Sequence, residues 1–335
     1  MTNTPILSTQ AEPEFNPGPI LRNTHFQTIF SSFGPRARIL SKRYQGYKSG
    51  EQKLELDCGD GVTLAGFYNQ AGAKAAQKMV ILIHGWEGCH GSSYMLSMTS
   101  SLLANGIDVF RLNMRDHGDT HHLNHGIFNS TLLDEVIGAI ADVQRRLPHA
   151  KNYLAGFSLG GNFSLRVAAN AHNRDVNLEK VMAFCPVIHA AQSNQALLQK
   201  RNWLYGKYFV VRWKRSLTKK LKYFPSYDYA EALEQMKTLD EMNQGLVPKY
   251  TGLKLEDYFD AYAVTDDRLA DTICPCYLHF SKDDMIIPVQ DVDRLSDSDN
   301  INITITERGG HCGFLMNWKL DSWQDARVLA LINQA

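Results

Sequence analysis

Long hydrophobic runs are missing from this chain of 335 residues. The longest apolar stretches resemble Met79-Val-Ile-Leu-Ile83, far short of the roughly 18 to 20 residues that cross a bilayer as a helix. A charge of one sign is missing too, since 35 Lys and Arg stand against 35 Asp and Glu. Bulk positive charge of the kind that drives nucleic-acid binding is therefore excluded, and no nucleic-acid partner is expected. Cysteine is sparse, at six, and shows none of the paired spacings of zinc sites or disulfide frameworks. Cys274 and Cys276 form C-x-C; on a strand they point to opposite faces, so neither a redox pair nor a zinc half-site follows. His117, His121, His122 and His125 sit in a polar stretch without Cys partners or a carboxylate-rich constellation, which predicts a solvated loop and no metal. Phosphate-binding loops are absent as well: Gly156, Gly160 and Gly161 fit neither nucleotide fingerprint, and no cofactor is expected. Unpaired thiols suit a reducing, cytoplasmic setting. The opening MTNTPILSTQAEPEF has neither a basic start nor an apolar centre, so no signal peptide is expected there.

What is present is an ordinary globular composition, 44% hydrophobic and 21% charged. Residues 1–50, with Pro5, Pro13, Pro17, Pro19 and Pro35, lack sustained periodicity and are expected to form an arm packed on the domain, with a short helix near His25–Phe30. Leu54–Cys58 and Val62–Tyr68, joined by Gly59-Asp60-Gly61, read as a hairpin. Strands then alternate with helices. Lys78–Ile83, Ile107–Met114, Tyr153–Phe157 and Val181–Val187 are short apolar strands; Ser92–Ala104, Thr131–Leu147 and Leu159–Ala171 are helices between them. The Thr131–Leu147 segment carries apolar residues at 132, 133, 136, 137, 140, 143 and 147 and stops at Pro148. Such alternation predicts an α/β fold, a mainly parallel central sheet with helices on both faces. The rhythm breaks over 189–265, which is helical, aromatic and basic, and resumes with Cys276–Phe280, Ile301–Thr306 and a closing helix Ser322–Ile332. The expected division is a core of 51–188 and 266–335 carrying a helical cap at 189–265.

Gly156-Phe-Ser-Leu-Gly160 matches G-x-S-x-G, the turn that lifts a serine out of a strand end at the start of a helix. The motif follows an apolar strand and opens an amphipathic helix, the context it requires. A serine hydroxyl needs a base, and the base an orienting acid. In sheets with this turn the order along the chain is serine, acid, histidine. Asp283-Asp284 follows the strand ending at Phe280-Ser281, and His311 follows Ile301–Thr306, so both lie at carboxyl ends of strands. Of twelve histidines, His311 is the only one downstream of the acid. Adjacent residues of an extended chain point in opposite directions, so only one of Asp283 and Asp284 can readily face it. After Lys78–Ile83, the loop His84-Gly-Trp-Glu-Gly88 stands where this fold takes one oxyanion-binding N–H, that of Trp86; Leu159 supplies the other. His84 is expected to be a buried brace for that loop.

These motifs resemble the YheT-like branch of the α/β-hydrolases. The matching pieces are Phe15-Asn-Pro-Gly-Pro19, His25-Phe-Gln-Thr28, His84-Gly-Trp-Glu-Gly88 with Ser92-Ser-Tyr94, and Gly156-Phe-Ser-Leu-Gly-Gly-Asn162. Further on come Leu255-Glu-Asp-Tyr-Phe259, Lys282-Asp-Asp284 before Pro288, and Gly309-Gly-His-Cys-Gly313. The resemblance implies an α/β-hydrolase fold and carboxylic-ester hydrolysis without a cofactor. It also implies Asp284 as the acid, because the acid of this fold commonly begins an Asp-x-x-x-Pro turn that only Asp284 fits. One stretch departs from the family pattern: Arg115-Asp-His-Gly-Asp-Thr-His-His122 stands where an Arg-Gly-Cys-Ser loop is expected. Serine at 158 sets the chain apart from dehalogenases and epoxide hydrolases of the fold, which carry Asp there.

Between Lys200 and Lys222 lie nine Lys or Arg and no Asp or Glu. Tyr205, Phe209, Trp213, Leu217 and Leu221 recur every fourth residue, an apolar stripe with cationic flanks. A lid over the active site is the first expectation, and peripheral contact of 200–222 with anionic lipid the second. The expected activity is a serine carboxylesterase on acyl esters of moderate length, a small-molecule substrate, with Ser158, His311 and Asp284 as its triad. The rivals are a lysophospholipase or acyl-thioesterase on the same residues and a non-catalytic binding protein of the same fold.

Overall fold

A computed structural model gives the fold and describes residues 15–334. Residues 1–14, with Pro5, Pro13 and nearly all of the segment considered for a signal peptide, lie outside the described part. The strands are β1 (Glu51–Asp57), β2 (Thr63–Asn69), β3 (Lys78–Ile83), β4 (Asp108–Asn113), β5 (Lys151–Phe157), β6 (Lys180–Phe184), β7 (Cys276–Ser281) and β8 (Ile301–Thr306). They form one sheet in the order β1-β2-β4-β3-β5-β6-β7-β8. The β1–β2 hairpin pairs Glu51 with Asn69, β2 runs antiparallel to β4, and every pairing from β4 to β8 is parallel.

The helices are α1 (Thr24–Phe30), α2 (Pro35–Lys48), α3 (Ser93–Ala104), α4 (Leu133–Arg146), α5 (Leu159–Asn170), α6 (Ala190–Leu198), α7 (Trp203–Tyr223), α8 (Ala230–Gln235), α9 (Leu239–Thr251), α10 (Leu255–Ala261) and α11 (Trp323–Asn333). Strand β3 reads as a continuous apolar run because both of its faces are covered. Ile81 and Ile83 belong to an apolar cluster with Ile140 of α4 and Phe163 of α5. Val80 and Leu82 belong to a second, with Met98 of α3 and Leu331 of α11. This is the α/β-hydrolase architecture, with helices on both faces and a five-helix insertion, α6–α10, between β6 and β7.

Two details differ from the sequence reading. The arm contains α2, which carries no apolar periodicity because polar atoms fasten its inner face. The buried Arg36 donates to the carbonyls of Ser31 and Leu320, and Tyr44 to Asn69. Strand β6 stops at Phe184 because Cys185 takes a positive φ of 43° and Pro186 cannot donate to a ladder. The strand order reverses around β3, whose neighbours are β4 and β5. The crevice of an open α/β sheet forms at such a point, outside the carboxyl ends of the strands.

Candidate active site

Ser158 alone joins β5 to α5, with φ 53° and ψ −119°. A non-glycine residue held there costs on the order of 1–3 kcal/mol, a strain the surroundings must enforce. They do so sterically. A Cβ on Gly156 would lie 2.2 Å from the Gly160 carbonyl oxygen, and one on Gly160 would lie 2.3 Å from that of Ile83. Glycine at both positions lets β5, α5 and β3 close together and leaves the serine projecting. Hydrogen bonds complete the clamp: Ser158 N–H donates to the Phe184 carbonyl at 2.8 Å, and the Asn162 side-chain Nδ2 to the carbonyls of Val187 and Tyr262 at 2.8 and 2.7 Å.

His311 reaches Ser158 from the loop after β8. Its Nε2 lies 2.9 Å from Ser158 Oγ, and its Nδ1 lies 2.8 Å from Asp284 Oδ2. A carboxylate only accepts, so Nδ1 carries the hydrogen and Nε2 is free to take the serine proton. The other oxygen of Asp284 accepts from the Ile286 and Ile287 amides at 2.8 and 3.0 Å, fixing the carboxylate. Burial disfavours a charged imidazole, but the adjacent Asp284 carboxylate outweighs it and raises His311 to about 9. Asp283 faces elsewhere, its Oδ1 accepting from Gly310 N–H at 2.9 Å.

Trp86 and Leu159 border the cavity at Ser158. Among the hydrogen bonds of the described residues, neither backbone N–H has an acceptor. His84 is fully buried. Its Nε2 accepts from Met114 N–H at 3.2 Å, so Nδ1 is the donor to Gly85 at 2.8 Å, and the ring staples the β3 loop to the β4 loop. His117 makes the same kind of staple, accepting from Glu87 N–H and donating to Arg115. Burial lowers its pKa to about 4. The expectation of a solvated histidine loop therefore fails for His117 and His121, which are buried, whereas His122 and His125 are exposed. The reason is α7, which lies across this loop. Its Lys220 ammonium, almost wholly buried, binds Asp116 at 2.7 Å and the carbonyls of Asn124 and Gly126 at 2.6 and 3.0 Å.

Sequence reasoning gave the His25-Phe-Gln-Thr28 motif no task. In the structure it holds the histidine loop. Thr28 Oγ1 accepts from His311 N–H at 2.9 Å, and Thr24 donates to the Asp283 carbonyl at 2.6 Å. The Gln27 amide bridges the Leu21 and Leu315 backbones. Gln27 is fully buried on its seven-residue helix, which the sequence does not show; the motif itself was the only signal there. Among the described residues, Cys185, His311 and Cys312 offer donor atoms within 4.8 Å of one another. Both His311 nitrogens are already engaged by Ser158 and Asp284, so no metal is assigned to the group.

Two cavities meet at Ser158. The smaller, about 110 Å³, is lined by Phe128, Val187, Leu197, Trp213, Tyr258 and Ile287 among others, and has no charged side chain in its wall. The larger, about 510 Å³, runs from His311 past Glu87 and Arg212 to Phe33 and Leu204. Burial raises the Glu87 carboxyl to about 7. The roof over both comes from the inner stripe of α7, where Phe209 stacks on Trp86 at 5.0 Å and Trp213 meets it edge-on at 5.4 Å.

The fold and the arrangement at Ser158 define a hydrolase of the α/β-hydrolase class. Residues 74–312 match the family described as serine aminopeptidase, S33; the match covers most of the chain, which belongs to that hydrolase family. YheT of Escherichia coli (strain K12), named as a candidate esterase, is 23% identical over 338 residues, spanning 98% of this chain and 95% of YheT. The Pyrococcus furiosus esterase Pf2001 has a TM-score of 0.57 at 14% identity, over 84% of this chain and 89% of that one. Est1E from Butyrivibrio proteoclasticus, solved with ferulic acid, has a TM-score of 0.53 at 16% identity, over 84% and 98%. At such identities the solved structures are alike in fold. Among the described residues no helix is long and apolar enough to cross a membrane.

Proposed function

We propose that the chain is a serine carboxylesterase acting on acyl esters of moderate length. The observation that carries this is the relay from Ser158 Oγ through His311 to Asp284, at 2.9 and 2.8 Å, set where an uncharged apolar cavity meets a larger one. Ser158 attacks the ester carbonyl while His311 Nε2 takes its proton. Asp284 holds the imidazolium without taking the proton itself. The Trp86 and Leu159 N–H groups donate to the oxygen that becomes negative, stabilisation that for a single donor is worth on the order of 10²- to 10³-fold in kcat. His311 returns the proton to the leaving alcohol, and water, activated by the same imidazole, cleaves the acyl-enzyme.

An acyl chain fits the smaller cavity because Trp86, Phe128, Val187, Leu197, Trp213 and Ile287 give it a largely apolar wall against which hydrocarbon is favourably buried. The alcohol portion then lies toward Glu87 and Arg212. Names of relatives support ester rather than peptide bonds, and the lack of charge in the smaller cavity agrees with an uncharged acyl group. Ser158→Ala should lower kcat for a p-nitrophenyl ester by on the order of 10⁴-fold or more, with the circular dichroism spectrum unchanged. Fluorophosphonate should label the wild type at Ser158. A variant keeping a tenth of wild-type activity would end the serine mechanism, and a panel of esters from short to long acyl chains would fix the length the cavity accepts.

A further inference from the structure

The outer face of α7 combines exposed apolar and cationic side chains. At 3.6 residues per turn, Trp203, Leu204, Lys207, Tyr208, Val211, Lys214 and Arg215 all fall within an arc of about 140°. The inner stripe of Tyr205, Phe209, Trp213 and Leu217 lies on the opposite side. Trp203 is 62% exposed, Val211 57% and Leu204 49%, so the amino-terminal half of the outer face is apolar and faces solvent. Phe33, 50% exposed, extends the patch from the arm, its ring 5.8 Å from that of Tyr208. Lys207, Arg215 and Lys222 are exposed along the same face, and no Asp or Glu occurs from 200 to 222.

We infer that this face docks on an anionic lipid surface, with α7 lying in the plane of the headgroups. A helix of 21 residues offers about 30 Å of length for such contact. Trp and Tyr are the residues that settle at the boundary between headgroup and acyl chain. Lysines and arginines beside them reach anionic headgroups, each strengthening binding several-fold at low salt. A second copy of this chain fits less well, because a twofold contact would set the cationic row of α7 against its own image. Docking in this orientation also places the mouth of the larger cavity toward the lipid, since Phe33, Leu204 and Tyr208 form part of its wall. A substrate with an acyl chain could then enter without crossing open water. The docking does not depend on the ester-hydrolase reading, and its test needs no turnover.

Ser158→Ala protein is floated with phosphatidylcholine vesicles and with mixed phosphatidylglycerol–phosphatidylcholine vesicles, at low and at physiological salt. The expected result is flotation with the mixed vesicles only, strongest at low salt, with a shift of tryptophan fluorescence that is lost in Trp203→Ala. Lys207→Gln/Lys214→Gln/Arg215→Gln should weaken partitioning by on the order of 100-fold, at roughly fivefold per cation. Val211→Asp should weaken it without touching the cations. Both sets should keep the circular dichroism spectrum and the thermal unfolding midpoint of the Ser158→Ala parent, which shows that the fold is intact. No flotation at low salt overturns the inference, as does equal binding to uncharged vesicles. Concentration-dependent dimerisation abolished by Val211→Asp would reassign the face to a second copy and overturn it equally.

Discussion

The loops at the ends of the sheet and the helical insertion hold their functional side chains by different means. Ser158, Asp284 and His311 are fixed by the backbone. Two glycines leave no other path for the elbow, two amides grip one oxygen of Asp284, and Thr28 holds the His311 amide. The insertion is fastened by side chains. Lys220 reaches through to Asp116, Lys219 donates to Gly118, Arg212 donates to the Glu87 carbonyl, and the Phe209 and Trp213 rings cover Trp86. Backbone clamps place atoms to within a few tenths of an ångström, which a relay of hydrogen bonds demands. On the function proposed above, one region would set the reaction and the other what reaches it.

The sharpest way to break that division is Asp284→Asn. An amide oriented by the Ile286 and Ile287 N–H groups would present its NH₂ to His311 and favour the tautomer that cannot accept the serine proton. A loss of on the order of 10³- to 10⁴-fold in kcat near neutral pH is expected. The pH profile separates this from misfolding. His311 acts as a base only when neutral, and its pKa is raised to about 9. Activity of the wild type should therefore climb with pH and level off near that value. Without the carboxylate the limb should move to lower pH. The linkage has a definite sign: a raised imidazole pKa adds stability below its unfolded value of about 6.5, and that stability is lost as pH rises through about 9. A wild-type limb at or below the ordinary histidine value would contradict this geometry.

Next in size is the anchor of the insertion. Lys220→Met leaves Asp116 buried without its hydrogen-bonded cation, and breaking a buried pair from one side costs about 3–5 kcal/mol. Denaturant unfolding should show that loss, and adding Asp116→Asn should restore a good part of it. A cost under about 1 kcal/mol would mean that the backbone N–H groups around Asp116 carry the loop by themselves.

How much of this was legible beforehand follows the same division. The strands, the elbow and the order serine, acid, histidine are written locally, in apolar runs bounded by glycine and in two-residue spacings. The sheet and a helical stretch at 189–265, though not its number of helices, could be read from where the strand rhythm stops. Contacts between distant polar residues could not. Nothing near Lys220 says that it will be buried against residue 116, and nothing in His117 or His121 shows that a helix a hundred positions later will cover them. Helix α2 escaped for a related reason: its inner face carries Arg36 and Tyr44, so a search for apolar periodicity passes over it. His25-Phe-Gln-Thr28 was recognisable as a motif, but its grip on the loop of His311 spans more than 280 residues.

The smallest expected effect tests the distinction between neighbours. Asp283 and Asp284 are adjacent and both acidic, yet one Oδ of Asp284 meets His311 at 2.8 Å while Asp283 accepts from Gly310 N–H at 2.9 Å. That bond holds the peptide just before His311, so Asp283 is a positioning residue. In Asp283→Asn the amide oxygen can still accept from Gly310, through a weaker bond than a carboxylate makes. The loop should keep its path, and kcat should fall by only about tenfold, equal to ~1.4 kcal/mol, with the ascending limb of the pH profile close to its wild-type position. Asp283→Ala removes the acceptor and should cost more, through a looser His311. If Asp283→Asn instead proves inactive and Asp284→Asn active, the two carboxylates exchange roles, and the backbone clamp on Asp284 loses its catalytic meaning.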